Sequence, residues 1–381
     1  MIKPFLAEYR LGRGARQMLV KGGKPDILIF AAVIALLSIG LVMVFSASSV
    51  MGIADYGDPY RYLQRQTVLA AVGLAALFIL MRIDYHIFKV LALPGLIVSF
   101  ALLVLVLFVG QGTSGATRWI RLGGFNLQPS EIAKFTMINY AAVYISTKRD
   151  RVRRFFTGLL PLLVILGVKF GLIMLEPDFG TAAALAFAAL VVIFAGGAHL
   201  GQLVLLGALA APVVWQLVVK EEYRFRRLTA FWNPWADPTG AGWNIIQSLL
   251  AIGSGGLFGL GLGRSRQKFS YLPEHHTDFI FAILCEELGF VGGAMVVLLF
   301  FVLAWRGLKI ALQAPDMYGS LLAIGITAMI AFQAMINMGV VTGSLPVTGI
   351  PLPFISHGGS SLLTSLAGIG VLLSISRQCK S

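Results

Sequence analysis

Apolar residues run along this chain in blocks of roughly 20, the length at which an α-helix crosses the hydrocarbon core of a bilayer. The blocks lie at 27–50, 67–83, 88–110, 130–147, 157–175, 180–197, 199–219, 277–305, 316–342 and 358–376, with short polar intervals between them. The pattern predicts an all-α polytopic membrane protein with about ten transmembrane helices. A basic segment, Lys3 to Lys24, precedes the first block, which is too long for a cleaved signal peptide and reads as an uncleaved anchor. Residues 1–25 form a basic N-terminal arm, 26–377 a single membrane domain, and 378–381 a tail.

Only one interval is long, 220–274, and it holds Trp232, Trp235 and Trp243. Tryptophan suits the membrane–water interface. The runs Gly253-Ser-Gly-Gly256 and Gly259-Leu-Gly-Leu-Gly263 demand tight turns or close backbone approach. The expectation is a segment lying along the outer membrane surface, not a free domain.

Composition supports lipid as the solvent: 57% of residues are apolar, 12% are charged, and the mean hydropathy is +0.84. An average soluble domain carries about 25% charged residues. The net charge of +13 does not signal nucleic acid, because the basic residues sit in short runs between apolar blocks. With the N-terminus in the cytoplasm, the inside segments hold 17 Lys and Arg, while the short outside loops hold four: Arg61, Arg65, Arg118 and Arg121. Ten crossings then put both termini in the cytoplasm and the large 220–274 loop outside. The only cysteines, Cys285 and Cys379, exclude a disulfide framework.

Ionisable residues in or beside membrane spans are costly and invite functional hypotheses. Arg118-Trp119-Ile-Arg121 places two arginines around an aromatic at the membrane surface, where guanidinium forks suit a diphosphate or an ordinary lipid headgroup. Glu131 and Lys134 open the fourth span and share a helix face, as an ion pair or as groups facing a cavity. Lys169 stands about two turns below the outer end of the fifth span, able to pair with Glu176 or Asp178, to snorkel, or to face the same cavity. Glu176-Pro-Asp178 reads as a helix-capping turn, with a cation-binding role as the alternative.

Glu274-His275-His276-Thr277-Asp278 brings several ionisable groups to the start of the eighth span. Asp278 is a candidate general base or metal ligand, whereas adjacent histidines point apart on a helix and signal zinc weakly. Glu286 and Glu287, two turns deeper, read as a buried structural pair. Ser356-His357-Gly358-Gly359-Ser360-Ser361 follows a proline-rich stretch, and its backbone N–H groups and hydroxyls offer an anion site or a re-entrant turn. These places gather on the outer side, as a site for a lipid-linked diphosphate would.

Four stretches, Gln128-Pro-Ser-Glu-Ile-Ala-Lys134, Gln247-Ser-Leu-Leu-Ala-Ile-Gly-Ser-Gly-Gly256, Tyr271 to Gly289 and Pro346 to Ser361, resemble the SEDS family (shape, elongation, division and sporulation). The resemblance spans about residues 27–377. Phe231-Trp-Asn-Pro-Trp235-Ala-Asp-Pro and Gly261-Leu-Gly-Arg-Ser-Arg-Gln-Lys268 are more similar to the division and sporulation branch (FtsW-like) than to the elongation branch (RodA-like). The resemblance implies a peptidoglycan glycosyltransferase of the cytoplasmic (inner) membrane that polymerises lipid II with a class B penicillin-binding protein and other divisome proteins. It places the family's essential acid on Asp278, its loop tryptophan on Trp119, and its fourth-helix pair on Glu131 and Lys134. His357 stands where the family usually has Tyr, and His275-His276 where it commonly has a single His.

On this reading the acceptor's 4-hydroxyl attacks the anomeric carbon of a glycan on undecaprenyl diphosphate, with inversion, and Asp278 takes the proton. Arg118, Arg121 and Lys134, with Mg²⁺ or Mn²⁺ as candidate cofactor, stabilise the leaving diphosphate; Trp119, Glu131, Lys169, Ser356, Gly358, Gly359, Ser360 and Ser361 complete the expected substrate site. The rivals are a lipid II flippase, which would spread functional charge through the bilayer depth, and a non-catalytic scaffold for the penicillin-binding protein.

Overall fold

The computed structural model describes residues 23–112, 117–123, 125–148, 152, 154–268 and 276–379. Most of the N-terminal arm, the end of the tail and the segment from Tyr271 through Glu274 to His275 lie outside them. The described chain is a helical bundle: α1 (Ile27–Tyr56), α2 (Arg61–Arg82), α3 (Ile87–Val109), α4 (Pro129–Thr147), α5 (Leu160–Leu175), α6 (Phe179–Ala195), α7 (Leu200–Val219), α8 (Glu222–Trp232), α9 (Trp243–Gly255), α10 (Ile280–Gln313), α11 (Met317–Val341) and α12 (Gly359–Ser376). A short antiparallel hairpin, β1 (Ile120–Leu122) and β2 (Phe125–Leu127), precedes α4. A single π-turn, Phe155–Leu159, leads into α5.

A helix occupies every one of the ten apolar blocks. Among the described residues seven are long and apolar enough to cross a membrane: α1, α2, α3, α5 with its π-turn, α10, α11 and α12. Of the other three, the 19-residue α4 carries Glu131, Lys134 and Asn139, α6 has 17 residues, and α7 is a 20-residue apolar helix with Pro212 inside it.

Hydrogen bonds fix which helix ends lie together. At one end, here the terminal end, Asp26 N–H donates to Ser376 Oγ and Gly23 N–H to the Arg377 carbonyl. Arg306 bonds Asp26 there, Ser374 Oγ donates to the Ile83 carbonyl at 2.6 Å, and Tyr318 OH donates to Asn139 Oδ1 at 2.8 Å. His86 bridges Asp84 at 2.7 Å and Asp316 at 2.6 Å. Burial lowers the imidazolium's stability, but the two carboxylates outweigh it and raise the His86 pKa to about 9. At the far end, the α1–α2, α3–α4, α5–α6 and α11–α12 connections meet the start of α10.

Two segments between the long helices enter the bundle from the far end, one of them without regular helix. Residues 343–358 pack Phe354 and Ile355, both fully buried, against α1. A Cβ on Gly40, in the middle of α1, would stand 2.5 Å from the Phe354 carbonyl oxygen, so only glycine admits this approach. The second segment corrects part of the expectation that 220–274 lies along the surface: α8 and residues 233–240 are mostly exposed or half-buried, but the chain from 243 to 268 is inserted. Its α9 buries Ile245, Ile246, Gln247, Ser248 and Ala251, and Ser248 Oγ donates to the Val341 carbonyl. Beyond α9 the chain lies on α10: Leu260 and Gly261 donate N–H bonds to the carbonyls of Glu286 and Glu287. Gly289 breaks α10 at φ 68°, ψ −168°, and a Cβ there would be 2.4 Å from Gly259 N. Irregular backbone at membrane depth requires burial in protein, and here the helices supply it.

Candidate active site

Asp278 stands half-buried just before α10, and the 343–358 segment holds it there. Asn337 of α11 donates one amide to both the Asp278 carbonyl at 2.7 Å and the Ile350 carbonyl at 2.8 Å, tying the two segments together. Ser356 Oγ donates to the Thr277 carbonyl at 2.6 Å and accepts from Leu352 N–H, while His357 N–H donates to the His276 carbonyl. Gln66 of α2 donates to the Ser356 carbonyl. The carboxylate itself approaches Gly349: its Oδ2 lies 3.4 Å from where a Cβ on that glycine would stand.

The neighbouring residue, Thr348, is part of the wall of a cavity of about 400 Å³. Three arginines line this cavity, Arg118, Arg224 and Arg227, over an apolar wall that includes Phe179, Ala211, Trp215 and Leu228. Arg118 is oriented by carbonyls: its Nε donates to Glu176 at 3.1 Å and an Nη to Pro177. Arg227 donates to the Val347 carbonyl at 3.3 Å. Cations over apolar walls in such a volume fit an anionic headgroup with a hydrocarbon tail.

Sequence reasoning missed Arg224 and Arg227 as site residues. They are three apart and so share one face of α8, a spacing that was available as a signal. Arg121 does not line the cavity; it sits exposed on the hairpin opposite Asn126. Trp119 is half-buried and pairs backbone to backbone with Gln111.

Beside the cavity, Glu176 is fully buried, and neither carboxyl oxygen has a hydrogen-bond partner among the described residues. Burial, with the Asp178 charge adding, raises its pKa to about 8 against the lowering pull of Arg118. Asp178 fills the capping role: it accepts from Thr181 N–H, Thr181 Oγ1 and Gln128 Nε2. No group of three or more His, Cys, Asp or Glu among the described residues is placed to hold a metal ion.

The α4 pair is made as its spacing predicts. Lys134 Nζ meets Glu131 Oε1 at 2.7 Å, both residues buried, and Thr364 of α12 donates to the other Glu131 oxygen at 3.2 Å. Ser360 Oγ donates to the Asn126 carbonyl and accepts from Gln128 N–H, so the start of α12 is fastened to the start of α4. Gly358 precedes α12 in extended backbone, Gly359 is its first residue, and the buried Ser361 Oγ has no partner among the described residues. Lys169 joins neither Glu176 nor Asp178. It is fully buried and donates to Ser99 Oγ, Thr136 Oγ1 and the Ala133 carbonyl, a set of neutral acceptors between α3 and α4.

His357, which stands where the family usually has Tyr, and His276 of the His275-His276 pair meet at one aromatic side chain. Tyr62 of α2 packs its ring 5.4 Å from His276 and 5.5 Å from His357. Burial lowers the His357 pKa to about 3, with His276 and Arg65 adding to the effect, so the imidazole is neutral at pH 7.

Fold and site together define a multi-pass membrane protein with an arginine-lined, largely apolar cavity beside a carboxylate at one end of its bundle. The family model described as the cell cycle protein family of FtsW, RodA and SpoVE matches residues 26–381, and the chain belongs to that family, the SEDS proteins. The chain is 48% identical to stage V sporulation protein E of Bacillus subtilis, over 95% of this chain and all of that one. It is also 48% identical to a Trichlorobacter lovleyi protein named "Probable peptidoglycan glycosyltransferase FtsW", over 93% of this chain and 94% of that one. Among solved structures, a chain from a peptidoglycan synthase complex that coordinates polymerization and crosslinking superposes with a TM-score of 0.76 at 31% identity, covering 93% of this chain and 98% of that chain. The rod shape determining protein RodA of Thermus thermophilus gives a TM-score of 0.69 at 32% identity, covering 94% and 98%.

Proposed function

We infer that this chain is a peptidoglycan glycosyltransferase that polymerises lipid II at the outer face of the cytoplasmic membrane. The chain crosses the membrane ten times, with its terminal end in the cytoplasm. The carrying observation is the adjacency of Asp278 to the arginine-lined cavity through Gly349 and Thr348. An activated lipid-linked sugar needs two things from its enzyme, a cationic seat for the leaving diphosphate and a base for the acceptor hydroxyl. The arginine-lined cavity and the Asp278 carboxylate adjoin neighbouring residues, Thr348 and Gly349, which supports these two roles.

In the reaction, the growing glycan's undecaprenyl diphosphate lies in the cavity against Arg118, Arg224 and Arg227. Asp278 accepts the proton of the acceptor's 4-hydroxyl as that oxygen bonds to the donor's anomeric carbon. The anomeric bond to the diphosphate breaks on the opposite face, which inverts the configuration. The cavity arginines balance the charge the leaving group gains. Mg²⁺ or Mn²⁺ would come with the diphosphate oxygens, since Mg²⁺ is commonly held by one or two carboxylates and substrate phosphates; no step here depends on it. The partner is a class B penicillin-binding protein, with other divisome proteins and membrane lipids around the complex.

The test is polymerisation of labelled lipid II by the purified chain with a class B partner, wild type beside Asp278→Asn. Wild type yields long strands. The variant, equal in partner binding, loses about 10²- to 10⁴-fold in rate, the usual contribution of a positioned base. Lipid II crossing vesicle membranes without any strands from wild type would establish the flippase reading instead.

A further inference from the structure

The strap that follows α9 and the first turns of α10 are fastened by a buried carboxylate pair. Glu286 and Glu287 are each 1% exposed. Glu286 accepts from Ser265 Oγ at 2.5 Å and from Arg266 N–H at 2.9 Å. Glu287 accepts from Ser265 N–H at 3.2 Å, from Lys268 Nζ at 3.3 Å, and from Ser46 Oγ of α1 at 2.7 Å to each oxygen. Lys268 Nζ also donates to the Gly263 carbonyl at 2.7 Å. Gly259 and Gly289 let the two backbones touch beneath this cluster.

The clamp closes a loop. Ser265 and Lys268 lie on one side of it in sequence, Glu286 and Glu287 on the other, and the chain between them carries Asp278. Asp278 stands two residues before the start of α10, so a shift of that end of α10 displaces the backbone that carries the carboxylate. Two carboxylates and one ammonium out of water are expensive, and a purely structural join of helix and strap would be cheaper with apolar side chains. What an ionic and hydrogen-bonded join adds is a single defined register.

We propose that Glu287, with Lys268 and Ser46, is a positioning device for Asp278: it fixes the base of the loop that presents the catalytic carboxylate. The proposal rests on the glycosyltransferase reading above. Neither Glu287 nor Lys268 touches substrate.

Lipid II polymerisation by the full chain with its class B partner separates the outcomes. Glu287→Gln keeps the shape and loses the negative charge, and Lys268→Met keeps much of the shape and loses the positive one. In each, kcat falls about 10- to 100-fold, as displacement of a catalytic group by about 1 Å does, while KM stays within about twofold. Lys268→Arg restores most of the rate. Ser46→Ala, which removes one hydrogen-bond donor from a helix that is otherwise intact, lowers kcat a few-fold with a modest drop in melting temperature and the chain still folded; it carries the test if a charge variant fails to fold. Wild-type kcat in Glu287→Gln and Ser46→Ala would overturn the positioning role alone, as would a raised KM at wild-type kcat. No strands from wild type would overturn the glycosyltransferase reading and this inference with it.

Discussion

Individual side chains at the far end are held in states that water would not grant them. Glu176 is the sharpest case. It is fully buried, its carboxyl oxygens lack partners among the described residues, and its pKa is raised to about 8 from an ordinary 4.5. The folded chain therefore keeps the proton that the unfolded chain releases. The stabilisation that protonation gives is complete below pH 4.5 and is lost as pH rises through 8. Glu176→Gln, a neutral mimic of the protonated acid, should remove this slope. Melting temperature in detergent, followed from pH 5 to pH 9, should fall less steeply in the variant, which should be the more stable protein at the alkaline end. His357 has the opposite sign: with its pKa lowered to about 3, its neutral form favours folding above 6.5 and that advantage fades as pH falls toward 3. The Glu131–Lys134 pair was legible from its spacing of three on a helix. Lys169 was not, because its acceptors Ser99 and Thr136 belong to α3 and α4, more than 30 residues away in sequence.

Among the elements, regular helices were legible and the two inserted segments were not. A run of about 20 apolar residues has one economical conformation in lipid, so ten blocks gave ten helices. Glycine and apolar residues between 243 and 268 carry no such constraint. The same composition lies on a membrane surface or inside a bundle, and the deciding partners, Ser265 with Glu286 and Ser248 with Val341, are 21 and 93 residues apart. The glycine contact is the weak point of the inserted strap. At Gly289, φ is 68° and a Cβ would stand 2.4 Å from Gly259 N. Gly289→Ala should therefore cost at least about 2–3 kcal/mol, from strain in a region closed to alanine and from the clash. A lowered melting temperature, with faster amide exchange in residues 256–268 than in α11, is the expected result; unchanged exchange would show that the strap accommodates the methyl group.

Across the whole molecule, the bundle presents apolar helix faces outward and collects its charge at two ends. The asymmetry of 17 Lys and Arg in the inside segments to four in the short outside loops was legible in the sequence and sets the orientation expected here, since long loops count little. Trp232, at the end of α8 and 79% exposed, marks the far end. In a chain with Cys285 and Cys379 replaced by alanine, Trp232→Cys should react with a membrane-impermeant maleimide on intact spheroplasts. A cysteine at Arg377 should react only after the membrane is opened. Reversed labelling would invert the orientation and put Asp278 on the cytoplasmic side.

The pairing of Gly23 and Asp26 with Arg377 and Ser376, and the packing of α12 on α2, bear on how the chain is made. Early helices leave the ribosome with surfaces whose partners have not yet been translated. The cleft that α12 fills stays open until the last of the ten blocks is inserted, so α1 and α2 must wait, laterally unsatisfied, in the lipid or beside the insertion machinery. Chains stopped before residue 359 would present that cleft permanently and be obvious targets for membrane proteolysis.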